Sequence, residues 1–484
     1  MGLDPGLRRL ALGTLLAAYP GPVPPDWAVD LLAEGLAGHT LFGTNVHDPA
    51  QLAATTAALR AGRADVLIAI DEEGGDVTRL AHATGSPYPG NAALGAIGDV
   101  ALTRRVYEAI GAELAELGIT VNLAPTVDVN TADENPVIGT RSFGADPLRV
   151  AAHSAAAVAG LQAVGVAACA KHFPGHGATV ADSHHELPTV DVPVDVLRRR
   201  DLPPFAAVIA AGAQAVMTAH IRVPALTGPG PATFSRAVLV DLLRTEYGFT
   251  GAVVTDALEM KGASDAAGGV GPAAVRALAA GADLLCIGAK IDADLVEEVA
   301  AAIVEAIGDG RLERRRVEEA AGRAGTLAAW TRAARREPTG GGTDLGYAAA
   351  RRAVKIDGVL TDLKRPLVVQ LHAASSMAEG RVPWGLGPHL ADAEEVRVVA
   401  AEADPAALRR LAGDRPIVLV GRRLHQLPGG PELVDALAAA HPVTVVEMGW
   451  PAQWRPAGVR AFVTTYGASH ANGRAAAEAL GLAG

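Results

Sequence analysis

Apolar positions along the first three hundred residues come in two rhythms. Short unbroken runs appear at LALGTLLA (10–17), HTLFGTN (39–45), DVLIAID (65–71), ITVNLAP (119–125), VAACAKH (166–172), AQAVMTAH (213–220), GAVVTDA (251–257) and ADLLCIG (282–288). Runs this short, rich in aliphatic and β-branched residues, predict strands. Between them apolar residues recur at three- and four-residue spacing, as in DVALTRRVYEAIGAELAELG (99–118) and DPLRVAAHSAAAVAGLQAVG (146–165). Each of these stretches opens on an aspartate suited to N-capping and closes on glycine, so both predict helices. Eight strands, seven helical crossovers and a helix after the last strand predict an α/β fold of the (β/α)8 TIM-type barrel kind. A doubly wound open sheet of the same content is the competing architecture.

After a charged helical stretch (311–337), PTGGGT at 338–343 reads as a linker, because proline and three successive glycines break any regular element. Beyond it the alternation resumes with PLVVQLHA (366–373), PIVLVGR (416–422), PVTVVEM (442–448) and AFVTTYG (461–467). These runs predict a smaller C-terminal α/β domain. The expected organisation is a catalytic barrel over 1–310, a helical segment and glycine-rich linker over 311–343, and a small α/β sandwich-like domain over 344–484.

Composition narrows the possibilities. The 484 residues are 50% apolar and 20% charged, enough to build a large core and to exclude wholesale disorder. The charge balance of 42 cationic against 53 anionic residues gives −11, with no basic tract to follow phosphates, so nucleic acid is not an expected partner. No apolar stretch is long enough to span a bilayer, so no membrane partner is expected either. The opening GLRRLALGTLLAAYPGPVP imitates a signal peptide, but it ends in a proline-rich turn rather than a small-x-small cleavage site. It is read as a first strand, and the protein as cytoplasmic. Cys169 and Cys286 each lie inside a strand-like run and read as small buried apolar groups.

A barrel carries its chemistry just after the C-terminal ends of its strands. Asp71 ends one predicted strand, Lys171 and His172 end another, His220 a third, and Asp256 nearly ends a fourth. Lys171 stands out further, since the chain holds 37 arginines and only five lysines. A compact ammonium can donate to substrate hydroxyls where a guanidinium fork is too broad.

KHFPGHGATVADSHHELP (171–188) holds four histidines, at 172, 176, 184 and 185. His172 and His176 have helical metal-ligand spacing, but Pro174, Gly175 and Gly177 deny the helix, and no nearby cysteine or carboxylate completes a zinc pattern. No metal or other cofactor is therefore expected. Asp182 and His184 are two apart in an extended loop, where side chains share a face. The carboxylate can fix the imidazole tautomer and favour its charged form, making His184 a proton carrier. Asp256, held on a strand end, is suited to attack an electrophilic carbon. An acid/base on a loop facing a strand-borne nucleophile fits displacement at a sugar's anomeric carbon.

KHFPGHG followed by DSHHELP, with IDEEGGDVTR before and VVTDALEM after, closely resembles the family 3 glycoside hydrolases, within them the bacterial β-N-acetylglucosaminidase (β-hexosaminidase) branch. NPVIGTRSFGADP (135–147) and VMTAHIRVPAL (216–226) resemble it too, so the likeness covers residues 7–310 or so. The resemblance implies a barrel, a carbohydrate substrate, Asp256 as nucleophile and His184 as general acid/base with Asp182 as its partner. It also implies Asp71, Arg79, Lys171 and His172 in the sugar pocket and Arg141 beside the 2-acetamido group. His176 and His185 match as supporting positions.

The leading expectation is a retaining exo-β-N-acetylglucosaminidase acting on muropeptide-type or chito-oligosaccharide substrates, within peptidoglycan recycling. A phosphorylase with the same site remains open, since a deprotonated imidazole is neutral and does not repel phosphate. So do a β-glucosidase and a metal-dependent barrel hydrolase. Substrate assistance through Asp133 and Glu134 is weighed against their reading as a solvated acidic turn. The aglycone and the oligomeric state are not legible.

Overall fold

A computed structural model of the chain describes residues 4–288, 292–334, 343–360 and 363–484. Residues 338–342 of the expected linker, and 335–337 at the end of the charged stretch, lie outside the described residues. The chain forms two compact units. Met1–Glu72, Thr103–Pro136 and Ala145–Gly341 make the first; Glu73–Leu102, Val137–Gly144 and Gly342–Gly484 make the second.

The first unit is a parallel α/β barrel of eight strands: β1 (Leu15–Ala17), β2 (Gly38–Leu41), β3 (Leu67–Ile70), β4 (Val121–Asn122), β5 (Ala167–Phe173), β6 (Ala215–Thr218), β7 (Ala252–Thr255) and β8 (Leu285–Ile287). Each strand pairs with the next in sequence from β1 to β7, and β8 pairs with β1. The ring closes where Val254 bridges Leu284 and the Thr255 amide donates to the Leu284 carbonyl at 2.9 Å. Alternate side chains such as Leu67 and Ala69, Ala167 and Cys169, and Ala252 and Val254 fill the interior. Cys169 and Cys286 are free and buried there, and burial pushes both thiols up, so they serve as apolar filling.

The expected first strand at 10–17 is shorter in the structure. Residues 10–12 finish a helix, Pro5–Leu12, and only Leu15–Ala17 pair as strand. Asp4 accepts the Leu7 amide at 2.9 Å and Pro5 opens the helix, so a strong N-terminal signal outweighs the apolar run.

The helix Arg314–Ala333 seals the N-terminal end of the barrel by adding Ala324, Leu327 and Ala328 to the interior core. Asp283, fully buried just before β8, locks it there. One carboxylate oxygen binds Arg316 at 2.6 Å and Arg323 at 3.1 Å; the other binds Arg244 and accepts the Val253 amide at 2.9 Å. Removing that carboxylate takes from Arg244, only 11% exposed, its ion-pair partner, and leaves Arg316, 15% exposed, with Glu319 alone at 3.1 Å. Asp283→Ala is expected to lower unfolding stability by about 3–5 kcal/mol in denaturant titration. A change below about 1 kcal/mol would contradict the hub.

The second unit carries a six-stranded sheet: β9 (Lys355–Gly358), β10 (Leu367–Leu371), β11 (Glu394–Val398), β12 (Ile417–Gly421), β13 (Val443–Glu447) and β14 (Ala461–Thr464). The order is β11-β10-β12-β13-β14-β9, parallel except for the antiparallel β14–β9 pair. The four central strands are buried on both faces, with Val369, Leu419 and Val445 on one and Val368, Val418 and Val446 on the other. That is why they read as continuous apolar runs. The edge strand β9 is largely exposed, and the edge strand β11 alternates charged residues with Val396 and Val398, which pack on the core; charges on both guard against edge-to-edge pairing. Among the described residues no helix is long and apolar enough to cross a membrane.

Candidate active site

Asp71, His220 and Asp256 lie just after the C-terminal ends of β3, β6 and β7, and Lys171 and His172 lie in the C-terminal part of β5. Asp71 follows β3, and its carboxylate accepts from the Lys171 ammonium at 2.6 Å. The lysine side chain is only 3% exposed, so its charge is held by that partner. The pairing of β5 with β6 shifts register between Ala170 and Phe173, and Lys171 and His172 sit in the irregularity. Such breaks re-aim side chains from a regular ladder. His172 donates from Nδ1 to Asp128 at 2.7 Å, which leaves Nε2 as its other chemical face.

Asp128, fully buried, holds the His172–His176 part of the histidine loop. Its other oxygen accepts the His176 amide at 2.7 Å and the His172 amide at 3.3 Å. Burial works against its charge, but His172 and His176 outweigh this and hold the carboxyl below its usual range. Sequence reading missed it: a lone aspartate in TVDVN (126–130) has no local signal of a partner 44 residues away.

The glycines that deny a helix here allow close approach instead. A Cβ on Gly177 would meet the Val129 carbonyl at 2.0 Å. His176 is spent within the loop: Nδ1 lies 2.8 Å from the Thr179 hydroxyl and Nε2 lies 3.2 Å from that of Ser183. Burial, aided by the nearby His172 charge, lowers it to about 4, so this imidazole is neutral.

Asp182 and His184 form the expected pair. The Asp182 Oδ1 accepts His184 Nδ1 at 2.6 Å and the His184 amide at 2.9 Å. Burial raises the Asp182 carboxyl, yet those two hydrogen bonds prevail and hold it below its usual range. An ionised partner makes Nδ1 the donor, so Nε2 is the nitrogen able to carry a proton to and fro. The loop is tied to the segment after β7 by the Gly262 amide, which donates to the Ser183 carbonyl at 3.2 Å. His185 is exposed.

Asp256 follows β7 directly, and its Oδ1 accepts the Ala257 amide at 2.8 Å. Burial penalises its charge, but His172, His220 and His184 and the Ala257 amide overcome this and hold it at about 2. The Gly262–Ser183 hydrogen bond brings the His184 loop up to the segment that follows Asp256. His220 is fully buried, with Nδ1 2.8 Å from Thr233 Oγ1 and Nε2 3.0 Å from the Ala257 carbonyl. Burial lowers it, so the neutral ring donates from Nε2 to that carbonyl and fixes the peptide beside Asp256. Glu259, three residues on, is pushed up to about 7 by burial; sequence reading did not single it out.

Arg79 and Arg141 belong to the second unit. Arg141 is bidentate on Glu73, at 3.0 and 2.8 Å, and donates to the Val137 carbonyl at 3.0 Å. Arg79 donates to the Ala378 carbonyl at 2.9 Å. Glu73 lies 68 residues from Arg141, too far for the sequence to pair them. Among the described residues no group of three His, Cys, Asp or Glu side chains is arranged to hold a metal ion.

Buried carboxylates and imidazoles at the C-terminal mouth of a barrel form a site for acid/base and nucleophilic chemistry. Comparison with known proteins agrees. Residues 25–327 match the model of the glycosyl hydrolase family 3 N terminal domain. A beta-hexosaminidase A of Pseudoalteromonas piscicida is 37% identical over 331 residues, 63% of this chain and just over half (55%) of that relative. A beta-hexosaminidase of Nitrosomonas eutropha is 36% identical over 292 residues, 58% of this chain and 82% of the relative. The solved glycoside hydrolase family 3 beta-N-acetylglucosaminidase of Paenibacillus sp. str. FPU-7 has a TM-score of 0.88 and 33% identity, over 99% of this chain and 97% of that one. The chain belongs to glycosyl hydrolase family 3.

Proposed function

We propose that this protein is a retaining exo-β-N-acetylglucosaminidase that removes terminal β-linked N-acetylglucosamine from muropeptide-type or chito-oligosaccharide substrates. The observation that carries the reading is geometric: the loop bearing the carboxylate-oriented imidazole of His184 is tied, through the Gly262 amide and the Ser183 carbonyl, to the segment that follows the strand-end carboxylate Asp256. The names of the family relatives support the substrate class.

In the first step an Asp256 oxygen attacks the anomeric carbon and forms an ester. The carbon–oxygen glycosidic bond breaks, and its electron pair leaves on the aglycone oxygen, which takes the proton from His184 Nε2. In the second step Nε2 removes a proton from water. The water oxygen bonds to the anomeric carbon, and the ester electrons return to Asp256. Two inversions keep the β configuration. Asp71 and Lys171 grip sugar hydroxyls, His172 lies beside them, and Arg79 and Arg141 keep the sugar-binding roles implied by family likeness.

Proton NMR of the first-formed product tests the reading: β-N-acetylglucosamine is expected, and an initial α product would overturn retention. Run in phosphate buffer, the same assay is expected to give free sugar; sugar 1-phosphate would replace water as the acceptor.

A pH consequence follows from Asp256. A carboxyl held at about 2 is ionised well below neutrality, so nucleophile protonation does not limit glycosylation above pH 4. A dinitrophenyl glycoside needs little help from an acid. Its kcat/KM is expected to stay within about threefold from pH 4 to 7. A tenfold fall with a midpoint near 5 would contradict an ionised Asp256.

A further inference from the structure

The six-stranded sheet of the second unit has a feature that catalysis does not use. The chain runs from β10 to β11 on one side and then returns to β12 on the other, so β10 and β12 flank a reversal of strand order. In open parallel sheets, ligands bind outside the carboxyl ends of the strands at such a point. Arg422 follows β12 directly, and its guanidinium is buried over the Trp384 ring, 5.6 Å from its centroid. The Ala468 amide lies just before Ser469, the N-cap of helix His470–Ala479. A cation and a helix N-terminus together make an anion-binding place.

A carboxylate of the same unit already fills it. Asp76, with 3% of its side chain exposed, accepts the Ala468 amide on Oδ1 at 2.8 Å. Its Oδ2 accepts the Thr140 hydroxyl at 2.6 Å and lies 3.3 Å from Arg422 Nη2. The same nitrogen of Arg422 also binds Glu379, at 2.6 Å. Burial alone would weaken the guanidinium charge, but Glu379 and Asp76 more than restore it. Glu447 braces the backbone beside Arg422 by accepting the amides of Arg423 and Leu424 at 2.7 and 2.8 Å. Asp76 lies three residues before Arg79, and Thr140 immediately precedes Arg141. One carboxylate therefore joins both arginine-bearing segments to the carboxyl edge of the sheet.

We propose that Asp76 is an internal ligand of the six-stranded domain, and that Arg422 is a positioning residue which, through Asp76, sets the Arg79 and Arg141 segments and so the selectivity for a 2-acetamido sugar. This rests on the function proposed above. It gives the C-terminal domain a task other than supplying a catalytic group: it replaces an external anion with a segment of its own chain and holds that segment still. Misplacement of binding groups by about 1 Å from a distant change can cost on the order of a hundredfold in rate.

The test compares full-length wild type with Arg422→Met and Arg422→Lys on the 4-nitrophenyl β-N-acetylglucosaminide and β-glucoside. Arg422→Met keeps the stem that packs on Trp384 and removes the charge. It is expected to raise KM for the acetamido substrate by about tenfold or more, with kcat within about threefold. The preference for the acetamido sugar over glucoside should fall by at least about tenfold, with partial recovery in Arg422→Lys. If Arg422→Met does not fold, Thr140→Val removes only the hydroxyl bond to Asp76 and should shift the preference the same way by a smaller factor. A folded variant with unchanged KM and preference, or with both substrates impaired in parallel, overturns the proposal. Wild type that fails to cleave the N-acetylglucosaminide overturns the function proposed above, and this inference with it. Active wild type with unaffected variants overturns this inference alone.

Discussion

Asp256→Ala is expected to lower kcat on 4-nitrophenyl β-N-acetylglucosaminide by about 10⁴-fold or more while leaving the fold intact. The reason is local. Asp256 is held at about 2 against the penalty of burial, and it directly follows a strand buried along its whole length. In the proposed mechanism alanine removes the carboxylate that forms the ester; Glu259, three residues on in the chain and pushed up to about 7 by burial, is a poor substitute. Azide is expected to restore part of the rate and to yield the α-glycosyl azide, because a small anion can enter the space left by the carboxylate and attack once. Turnover of Asp256→Ala within about a hundredfold of wild type, without azide, would defeat the assignment.

His184→Ala should show a different signature. Loss of a general acid/base costs about 10²–10⁴-fold where the leaving group needs a proton, and much less where it does not. The variant is therefore expected to lose that factor on a chito-oligosaccharide and to come within about tenfold of wild type for glycosylation by a dinitrophenyl glycoside. Asp182→Asn separates orientation from charge. The amide oxygen can still accept from Nδ1, but the negative charge that favours the imidazolium is gone, so the alkaline limb of activity should move to lower pH. Equal losses of His184→Ala on both substrates would show that the imidazole acts through structure rather than proton transfer.

How far the sequence carries these conclusions depends on the range of the interactions. Strands β2 to β8 and the four central strands of the second sheet are legible because burial on both faces leaves continuous apolar runs. The edge strand β9 is polar and exposed, and β11 shows only a two-valine alternation, so neither forms the continuous apolar run that marks the central strands. The Asp182–His184 pair is legible because it is local, two residues apart in one loop. Asp128 is not, since its task is to accept amides and an imidazole from a loop 44 to 48 residues on. The same holds for Glu73 with Arg141 and for Asp76 with Arg422, the latter 346 residues apart. The contribution of residues 73–102 and 137–144 to the second unit is likewise invisible in sequence, because their partners, such as helix Thr343–Ala353 against helix Asn91–Ile97, lie hundreds of residues away. The first helix shows the opposite failing: an apolar run at 10–17 hid an N-terminal signal already present at Asp4 and Pro5.

Covalent trapping reaches the heart of the matter most directly. Incubation with 5-fluoro N-acetylglucosaminyl fluoride, which keeps the acetamido group but slows release of the sugar, should add one glycosyl mass to the intact chain. Peptide mapping should then locate that sugar on the carboxylate of Asp256. A label on Glu259 or any other side chain, or continued rapid turnover of ordinary substrate with no label at all, would contradict a glycosyl–aspartate intermediate at this position.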